Sequence, residues 1–144
     1  MMSNLKFSFS GESVSATKFV GTSRNFQITI DEPPELGGTD EAANPVEYTL
    51  ASLAGCLNVV AHLIAKEQHI EIKSLKIDIE GDLNPGRLLQ GDDSERTGFT
   101  NIRVKLDVDS DADEAALKKW LETVEDRCPV TDNLANQTTV EITV

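Results

Sequence analysis

Several short segments of the chain alternate apolar and polar side chains, and this pattern predicts β-strands. The segments with a period of two are residues 26–30, 70–80, 100–108 and 140–144. Each is expected to turn one face toward a core and the other toward water. Residues 5–10 and 14–20 are also β-prone, and a turn over residues 21–25 leads into the strand at 26–30. The sequence therefore predicts an N-terminal hairpin or meander, with further antiparallel strands after it.

The longest uncharged stretch of the chain covers residues 48–65 and predicts a central helix. Asn44 and Pro45 before it are typical of a helix start, and Lys66 and Glu67 mark its exit. The polar or small residues that interrupt it are Thr49, Ser52, Gly55, Asn58 and His62. These interruptions argue against a transmembrane span. Because apolar residues occupy nearly every face, we expect the helix to be buried on all sides.

A second helix is predicted over residues 112–127, with Asp111 as its N-cap. Its apolar stripe consists of Ala116, Leu117, Trp120, Leu121 and Val124. Cys128 and Pro129 end it. Residues 84–98, rich in Gly, Pro and Asp, predict a loop or a mobile hairpin tip between two strands.

The predicted order of elements is β-β-β-α-β-β-α-β, which is typical of an α+β fold with antiparallel sheets. At 144 residues the chain has the usual size of one domain, and we find neither internal repeats nor a linker in it. The expectation is a single domain over residues 1–144.

The charge balance excludes several classes of partner. Thirteen Lys and Arg face 25 Asp and Glu, a formal net charge of −12, and the basic residues form no patch. Nucleic acid and membrane surfaces, both anionic, are therefore not expected to bind. The first residues also lack the apolar core of a secretory signal, so we expect a cytoplasmic protein.

Common cofactor and metal motifs are missing from the sequence. No GxGxxG, P-loop, GxSxG or HExxH pattern occurs, so no cofactor is expected. His62 and His69 are seven residues apart, two helical turns or about 10 Å along an axis, which is too far for one metal ion. We therefore expect no metal site.

The two cysteines, Cys56 and Cys128, are the main candidates for chemistry. They lack the CxxC spacing of metal and thioredoxin-like sites, so they are either core residues or a redox pair. Gly55 precedes the first in mid-helix, where glycine is unfavourable unless something approaches closely. Cys128 is predicted at a helix C-terminus, where the dipole disfavours a thiolate, although Arg127 beside it acts in the opposite direction.

Three motifs together resemble those of the OsmC/Ohr family of osmotically induced and organic-hydroperoxide-resistance proteins. They are the Glu-Leu-Gly-Gly segment at residues 35–38, the helix start with its cysteine at 44–56, and Cys-Pro-Val-Thr-Asp-Asn-Leu at 128–134. The motifs occur in the family's order and span most of the chain. The resemblance is closer to the OsmC-like branch than to the family's efficient peroxidases.

The resemblance implies an intertwined homodimer in which sheets from both chains wrap two cysteine-bearing helices. A helix that is apolar all round is consistent with this, because a second chain would supply the missing cover. In the family's peroxidases the first cysteine, here Cys56, attacks the peroxide and becomes a sulfenic acid. The second, here Cys128, resolves it to a disulfide, and a dithiol reductant restores both.

Two positions depart from those peroxidases. Their glutamate ten residues before the first cysteine is replaced by Val46, and Glu47 would lie about 180° around the helix from Cys56. Their activating arginine aligns with Ser15, and the nearest cations are Lys18 and Arg24. Without that cation, burial is expected to raise the pKa of the Cys56 thiol.

The sequence therefore predicts a thiol-dependent redox protein of the oxidative stress response that reduces organic hydroperoxides, or another electrophile, slowly through Cys56 and Cys128. Thr49 and Ser52 are expected to support the thiolate through their hydroxyls, and Glu47 to offset the helix dipole. One alternative is a non-enzymatic dimer that binds a small apolar or electrophilic ligand near Cys56. Another is a structural dimer whose cysteines only fill the core.

Overall fold

The computed structural model describes residues 1–144 and confirms an α+β architecture with five strands, four helices and two antiparallel sheets. In chain order the elements are β1 Ser10–Ser13, β2 Phe19–Ser23, β3 Phe26–Ile30, α1 Pro45–Glu67, β4 Ile72–Leu83, α2 Gly86–Gln90, β5 Phe99–Ser110, α3 Glu114–Arg127 and α4 Pro129–Ala135. The chain forms two compact units, residues 1–49 and 50–144. Each is described in turn.

The first unit is built on the sheet β1-β2-β3, in which neighbouring strands are antiparallel. Gly21 is buried at its centre and pairs with Gly11 on one side and Ile28 on the other. A Cβ atom at Gly21 would collide with the Phe9 ring and the Ser10 carbonyl oxygen. Glycine here lets the backbone and a ring approach each other closely.

Asp31 organises the segment that follows β3. Its buried carboxylate accepts hydrogen bonds from the hydroxyls of Thr39, at 2.7 Å, and Thr17, at 2.9 Å, and from the amides of Glu32 and Glu41. These donors, the Thr39 hydroxyl foremost, hold the pKa of Asp31 well below its usual range. Through Asp31, the segment after β3 is thereby fixed to Thr17, which lies between β1 and β2.

The N-terminal prediction is correct for β3 and wrong for the strands before it. Residues 5–10 contribute only Ser10 to a strand, and residues 14–20 contribute only Phe19 and Val20. β1 is short, polar and exposed, so it is specified by its pairing with β2 and leaves no hydrophobic signal. The turn predicted over residues 21–25 is confined to Arg24 and Asn25, with Arg24 at φ 55°.

The second unit places α1 and α3 against the long hairpin β4-β5. Its buried core consists of Leu53, Leu57, Val60, Ala61, Ile64, Ala65, Trp120, Val124 and Cys128. Alternate residues of both strands pack against this core, including Ile77, Ile79 and Leu106. The indole Nε1 of Trp120 donates to the Ala61 carbonyl at 2.8 Å, which fastens α3 to α1.

The bounds of α1 agree with the sequence prediction, and its all-round burial does not. Within this chain one face is buried, whereas Val59 and Leu63 on another face are 65% and 46% exposed. Only 33% of the most apolar 18-residue stretch of α1 is buried. Length and composition alone would let α1 cross a membrane, a test that core helices of soluble folds also pass.

The part of the chain after β4 requires four corrections. The N-cap of α3 is Asp113, which accepts from the Ala116 amide, while Asp111 accepts from the Glu71 amide across the hairpin. Residues 84–98, predicted as a loop, contain the short helix α2, and α4 was not predicted at all. Residues 140–144 form no strand here and are exposed, because no neighbouring strand pairs with them.

Candidate thiol site

The structure brings the two cysteines together although 72 residues separate them in the sequence. Their sulfur atoms are 3.2 Å apart, and both thiols are free. Cys56 lies on α1 and is half-buried, whereas Cys128 is 1% exposed and belongs to the core. The distance is a hydrogen-bond contact between two thiols and is longer than the roughly 2.05 Å of a disulfide bond.

Cys128 owes its position to the junction of two helices. It is the residue after α3 and the residue before α4, in an extended conformation at φ −85° and ψ 112°. Pro129, which has no amide hydrogen to satisfy, occupies the first position of α4. Next to it, Arg127 makes two contacts with Glu67 on α1, at 2.6 and 3.2 Å. This ion pair therefore fixes the end of α3, and with it the junction, to α1.

The surroundings of the two thiols shift their pKa values in opposite directions. Burial raises the pKa of Cys56, the neighbouring Cys128 raises it further, and the Val130 amide offsets part of the effect. Burial also acts upward on Cys128 and is the largest single influence there. The hydroxyl and amide of Thr131, helped by Cys56 and the Val130 amide, nevertheless leave the pKa of Cys128 below its ordinary value.

The pKa of Cys56 is shifted in the direction expected from its burial. Cys128 was predicted at a helix C-terminus, where the dipole disfavours a thiolate and Arg127 acts in the opposite direction. The structure places it there, as the residue after α3 and before α4, and hydrogen bonding from Thr131 and the Val130 amide lowers its pKa. Thr131 was missed as a site residue. Its position three residues after the cysteine, behind Pro129, was the available signal.

An apolar cavity of about 480 Å³ lies in the second unit, and neither cysteine is among its lining residues. Its lining residues are Leu53, Leu57, Ile102, Val104, Leu106, Leu121, Glu125, Thr131, Leu134 and Ala135. Leu53 and Leu57 flank Cys56 along α1, and Thr131 lies three residues after Cys128 in the sequence. The cavity is therefore largely apolar, with Glu125 as its charged side chain, and some of its lining residues are sequence neighbours of the two cysteines.

The other predicted site residues lie on the first turns of α1. Glu47 and Asn44 form a reciprocal cap, because the Asn44 amide donates to Glu47 at 3.0 Å and the Glu47 amide donates to Asn44 at 2.9 Å. The Thr49 hydroxyl donates to the Pro45 carbonyl at 3.2 Å. Ser52 is exposed, one helical turn before Cys56. Glu47 thus serves the helix start, nine residues from the thiol.

The candidate cations named in the sequence analysis have other partners. Lys18 pairs with Glu41 at 3.2 Å, and Arg24 lies 4.9 Å from the centre of the Phe26 ring. Ser15 accepts from the Lys18 amide and closes a local turn. The structure contains no group of three or more His, Cys, Asp or Glu side chains able to hold a metal ion.

Comparison with known proteins identifies the family of this chain. The sequence profile of the OsmC-like proteins matches residues 38–143, which include both cysteines. The chain belongs to the OsmC-like family. The OsmC-like resemblance of the three sequence motifs is thereby confirmed.

Individual members of the OsmC-like family agree with this assignment. A hydroperoxide reductase of Mycoplasma genitalium is 28% identical over 122 residues, 85% of this chain and 82% of that protein. The crystal structure of an OsmC-like protein from Mycoplasma pneumoniae matches with a TM-score of 0.80 at 23% identity, covering 92% and 89% of the two chains. An organic hydroperoxide resistance protein from Legionella pneumophila has a TM-score of 0.65 at 17% identity, covering 92% and 91%.

Proposed function

We propose that this OsmC-like protein is a thiol-dependent redox protein that reduces organic hydroperoxides slowly through Cys56 and Cys128. The observation that carries the proposal is the 3.2 Å separation of two free thiols that lie 72 residues apart. Relatives named hydroperoxide reductase support the same class of reaction. We further propose a cytoplasmic location, where both thiols stay reduced between turnovers.

The reaction divides into three balanced steps. The Cys56 thiolate attacks the terminal peroxide oxygen, the O–O bond breaks, and the leaving alkoxide takes a proton to become the alcohol. Cys56 is now a sulfenic acid. Cys128 attacks its sulfur, a disulfide forms, and hydroxide leaves as water. A dithiol reductant then exchanges with the disulfide and is itself oxidised, which returns both thiols.

A slow first step is expected because Cys56 lacks electrostatic help. Burial raises the pKa of its thiol. The positions that carry an arginine and a glutamate in efficient peroxidases of the family are Ser15 and Val46 here. General acid–base catalysis commonly contributes about 10²–10⁴-fold. We therefore expect a rate below that of peroxidases that have both groups.

The test follows consumption of an alkyl hydroperoxide in the presence of a dithiol for the wild type and for Cys56→Ser and Cys128→Ser. The proposal expects activity in the wild type alone, and a sulfenic acid trapped in Cys128→Ser. A wild-type rate equal to that of free dithiol would contradict it. So would full activity in Cys56→Ser.

The apolar cavity supports a second candidate function, the binding of a small apolar or electrophilic ligand without turnover. Nine of the ten lining residues carry no charge, and Leu57 and Thr131 among them are sequence neighbours of Cys56 and Cys128. Saturable binding of an apolar fluorescent probe, lost in Leu57→Gln, would favour this function if hydroperoxide consumption is absent. Leu36→Gln, at an exposed leucine outside the cavity, is the control.

We also propose that the protein is a homodimer. The uncovered side of α1 carries the exposed residues Ala51, Gly55, Val59 and Leu63. A Cβ atom at Gly55 would meet nothing within this chain, so the chain itself does not explain glycine at that position. Sedimentation equilibrium should give twice the mass of one chain, and Gly55→Leu should weaken the association. A monomer at micromolar concentration would contradict the proposal.

A further inference from the structure

The cavity formed by α1, β5, α3 and α4 carries one ionised side chain. Its volume of about 480 Å³ falls in the range of sites that bind small molecules. Glu125 of α3 is the charged lining residue, and the others are all Leu, Ile, Val, Thr or Ala. A single carboxylate in apolar surroundings separates ligands by the sign of their charge.

We propose that this cavity accepts apolar molecules whose polar end is neutral or cationic and rejects those that carry a carboxylate, and that Glu125 determines this specificity. Where the ligand is a hydroperoxide substrate, the inference rests on the proposed function. It then names the substrate class as organic hydroperoxides without an acidic group. The preference among unreactive ligands concerns binding alone.

Glu125 lies where the cavity meets the solvent. Leu121 of α3 and Val104 of β5, which also line the cavity, are 39% and 40% exposed. Glu125 is exposed as well, and it follows Leu121 by one helical turn on the same face of α3. The inner wall is formed by the buried side chains of Leu53 and Leu57. A ligand with its apolar part against that wall therefore has its polar end near the carboxylate.

No cation offsets the charge of Glu125, which makes no hydrogen bond or ion pair within the chain. Arg103 and Lys105 alternate with the lining residues of β5, so their side chains point to the other face of the strand. There, Arg103 is held by two carboxylates of β4. Arg127 is bound to Glu67 of α1. The formal net charge of −12 adds a field of the same sign, which also disfavours anions.

The helix α1 connects the cavity to the proposed reactive thiol. Cys56 is not a lining residue, but it comes three residues after Leu53, which is one. Side chains three residues apart on a helix are neighbours, with their Cβ atoms about 5–6 Å apart. An apolar group held against Leu53 therefore lies close to the Cys56 side chain.

A second copy on the proposed dimer face would leave the cavity open. Gly55 and Val59 of that face are each two residues from Leu57. Two residues correspond to a rotation of about 200° around the helix axis, so the dimer face and the cavity wall lie on nearly opposite sides of α1. A ligand in the cavity therefore does not compete with the proposed dimer.

The first experiment compares three ligands that share one alkyl chain length and differ in their polar end: decylammonium, decanol and decanoate. Their affinities are measured at pH 7 by displacement of N-phenyl-1-naphthylamine, a neutral apolar fluorophore. We expect decanoate to bind more weakly than decylammonium by about fivefold or more, because two unit charges about 4 Å apart change an affinity about fivefold even in water. The ratio should shrink at high salt, since Glu125 is exposed.

Variants test the assignment to Glu125. Glu125→Gln should bring the affinities for decylammonium and decanoate together, and Glu125→Lys should reverse their order. Glu114→Gln removes the same charge from the first turn of α3, about 16 Å away along the helix axis, and should leave the ratio unchanged. Leu121→Gln changes a half-exposed lining residue, which the fold should tolerate, and should weaken all three ligands alike.

Three binding results would contradict the proposal. Equal affinities of the wild type for the three ligands would overturn the selection by charge. An equal change of the ratio in Glu114→Gln and Glu125→Gln would overturn the role of Glu125. Displacement that is unaffected in Leu121→Gln would overturn the cavity as the binding site.

The second experiment tests whether substrates follow the same rule. It measures kcat/KM, with a dithiol as reductant, for a fatty-acid hydroperoxide and for its methyl ester, which differ only in the carboxylate. We expect the wild type to prefer the ester by about fivefold or more, and Glu125→Gln to lose that preference through KM. Equal values of kcat/KM in the wild type would overturn the substrate class. Ligand preferences as expected in a protein that consumes neither hydroperoxide would overturn the proposed function and support the specificity of the cavity.

Discussion

Oxidation of the thiol pair is expected to stabilise the protein strongly. The sulfur atoms start 3.2 Å apart and must approach by about 1.2 Å to reach the bond length of a disulfide. Cys128 lies at a helix junction and not inside a helix, so its backbone can adjust more easily than that of Cys56. A disulfide should therefore form without disrupting the core.

The size of the effect follows from the loop that the bond would close. A crosslink across 72 residues restricts the unfolded chain, and the chain-entropy relation gives about 4 kcal/mol at 25 °C. For a domain of this length, that free energy corresponds to a rise in melting temperature of roughly 10–15 °C. Strain in the folded state would reduce this value.

The assay compares diamide-treated and dithiothreitol-treated protein. Treatment should lower the number of titratable thiols per chain from two to zero, without crosslinked dimers on a non-reducing gel, and the melting temperature should rise. Cys128→Ser is the control, and its melting temperature should be the same after diamide and after dithiothreitol. An oxidised wild type that melts at or below the temperature of the reduced form would refute the expectation of an unstrained bond. Interchain crosslinks as the main product would refute the pairing itself.

Three further predictions concern hydrogen bonds that stabilise the fold. The lowered pKa of Asp31 means that its contribution to stability is present above the unfolded value of about 4 and is lost as the pH falls below it. Asp31→Asn should therefore have a lower melting temperature than the wild type at pH 7, and the difference between the two should shrink in acid. A difference that does not change with pH would contradict the stabilising role of the hydrogen bonds to Asp31. Trp120→Phe removes the hydrogen bond to Ala61 and should cost about 1–3 kcal/mol in urea unfolding, and a loss under 0.5 kcal/mol would show that the bond contributes little. Asn44→Ala should cost about 1 kcal/mol, whereas Glu47→Gln should leave both stability and hydroperoxide consumption nearly unchanged; loss of activity at an unchanged melting temperature would give Glu47 a catalytic role.

The extent to which the sequence predicts this fold depends on the length of each element. The helix α1 was predicted closely because its long apolar run has a clear start at Asn44 and Pro45. The helices α2 and α4 have five and seven residues, too few for a periodic pattern to stand out. The N-cap of α3 was predicted wrongly at Asp111, because the sequence does not show that its carboxylate accepts from the Glu71 amide; Asp113 caps the helix.

The candidate site was predictable in its members and not in its electrostatics. Both cysteines stand out in the sequence, but their contact depends on the packing of α3 against α1. The hydrogen bonding that lowers the pKa of Cys128 involves Thr131, a residue of α4, and α4 was not predicted. Residues 140–144 show a strand pattern without a strand, since pairing requires a neighbour that the pattern alone does not supply.

The hydrogen bond from Trp120 to Ala61 also has a spectroscopic consequence. Trp120 is the single tryptophan of the chain, is 2% exposed, and belongs to the same core cluster as Cys128. Its intrinsic fluorescence therefore comes from one known position between α1 and α3, without a background from other indoles. Because Trp120 shares that cluster with Cys128, we expect emission from the unlabelled protein to change when the thiol pair closes or opens, and the fluorophore itself takes no part in the chemistry.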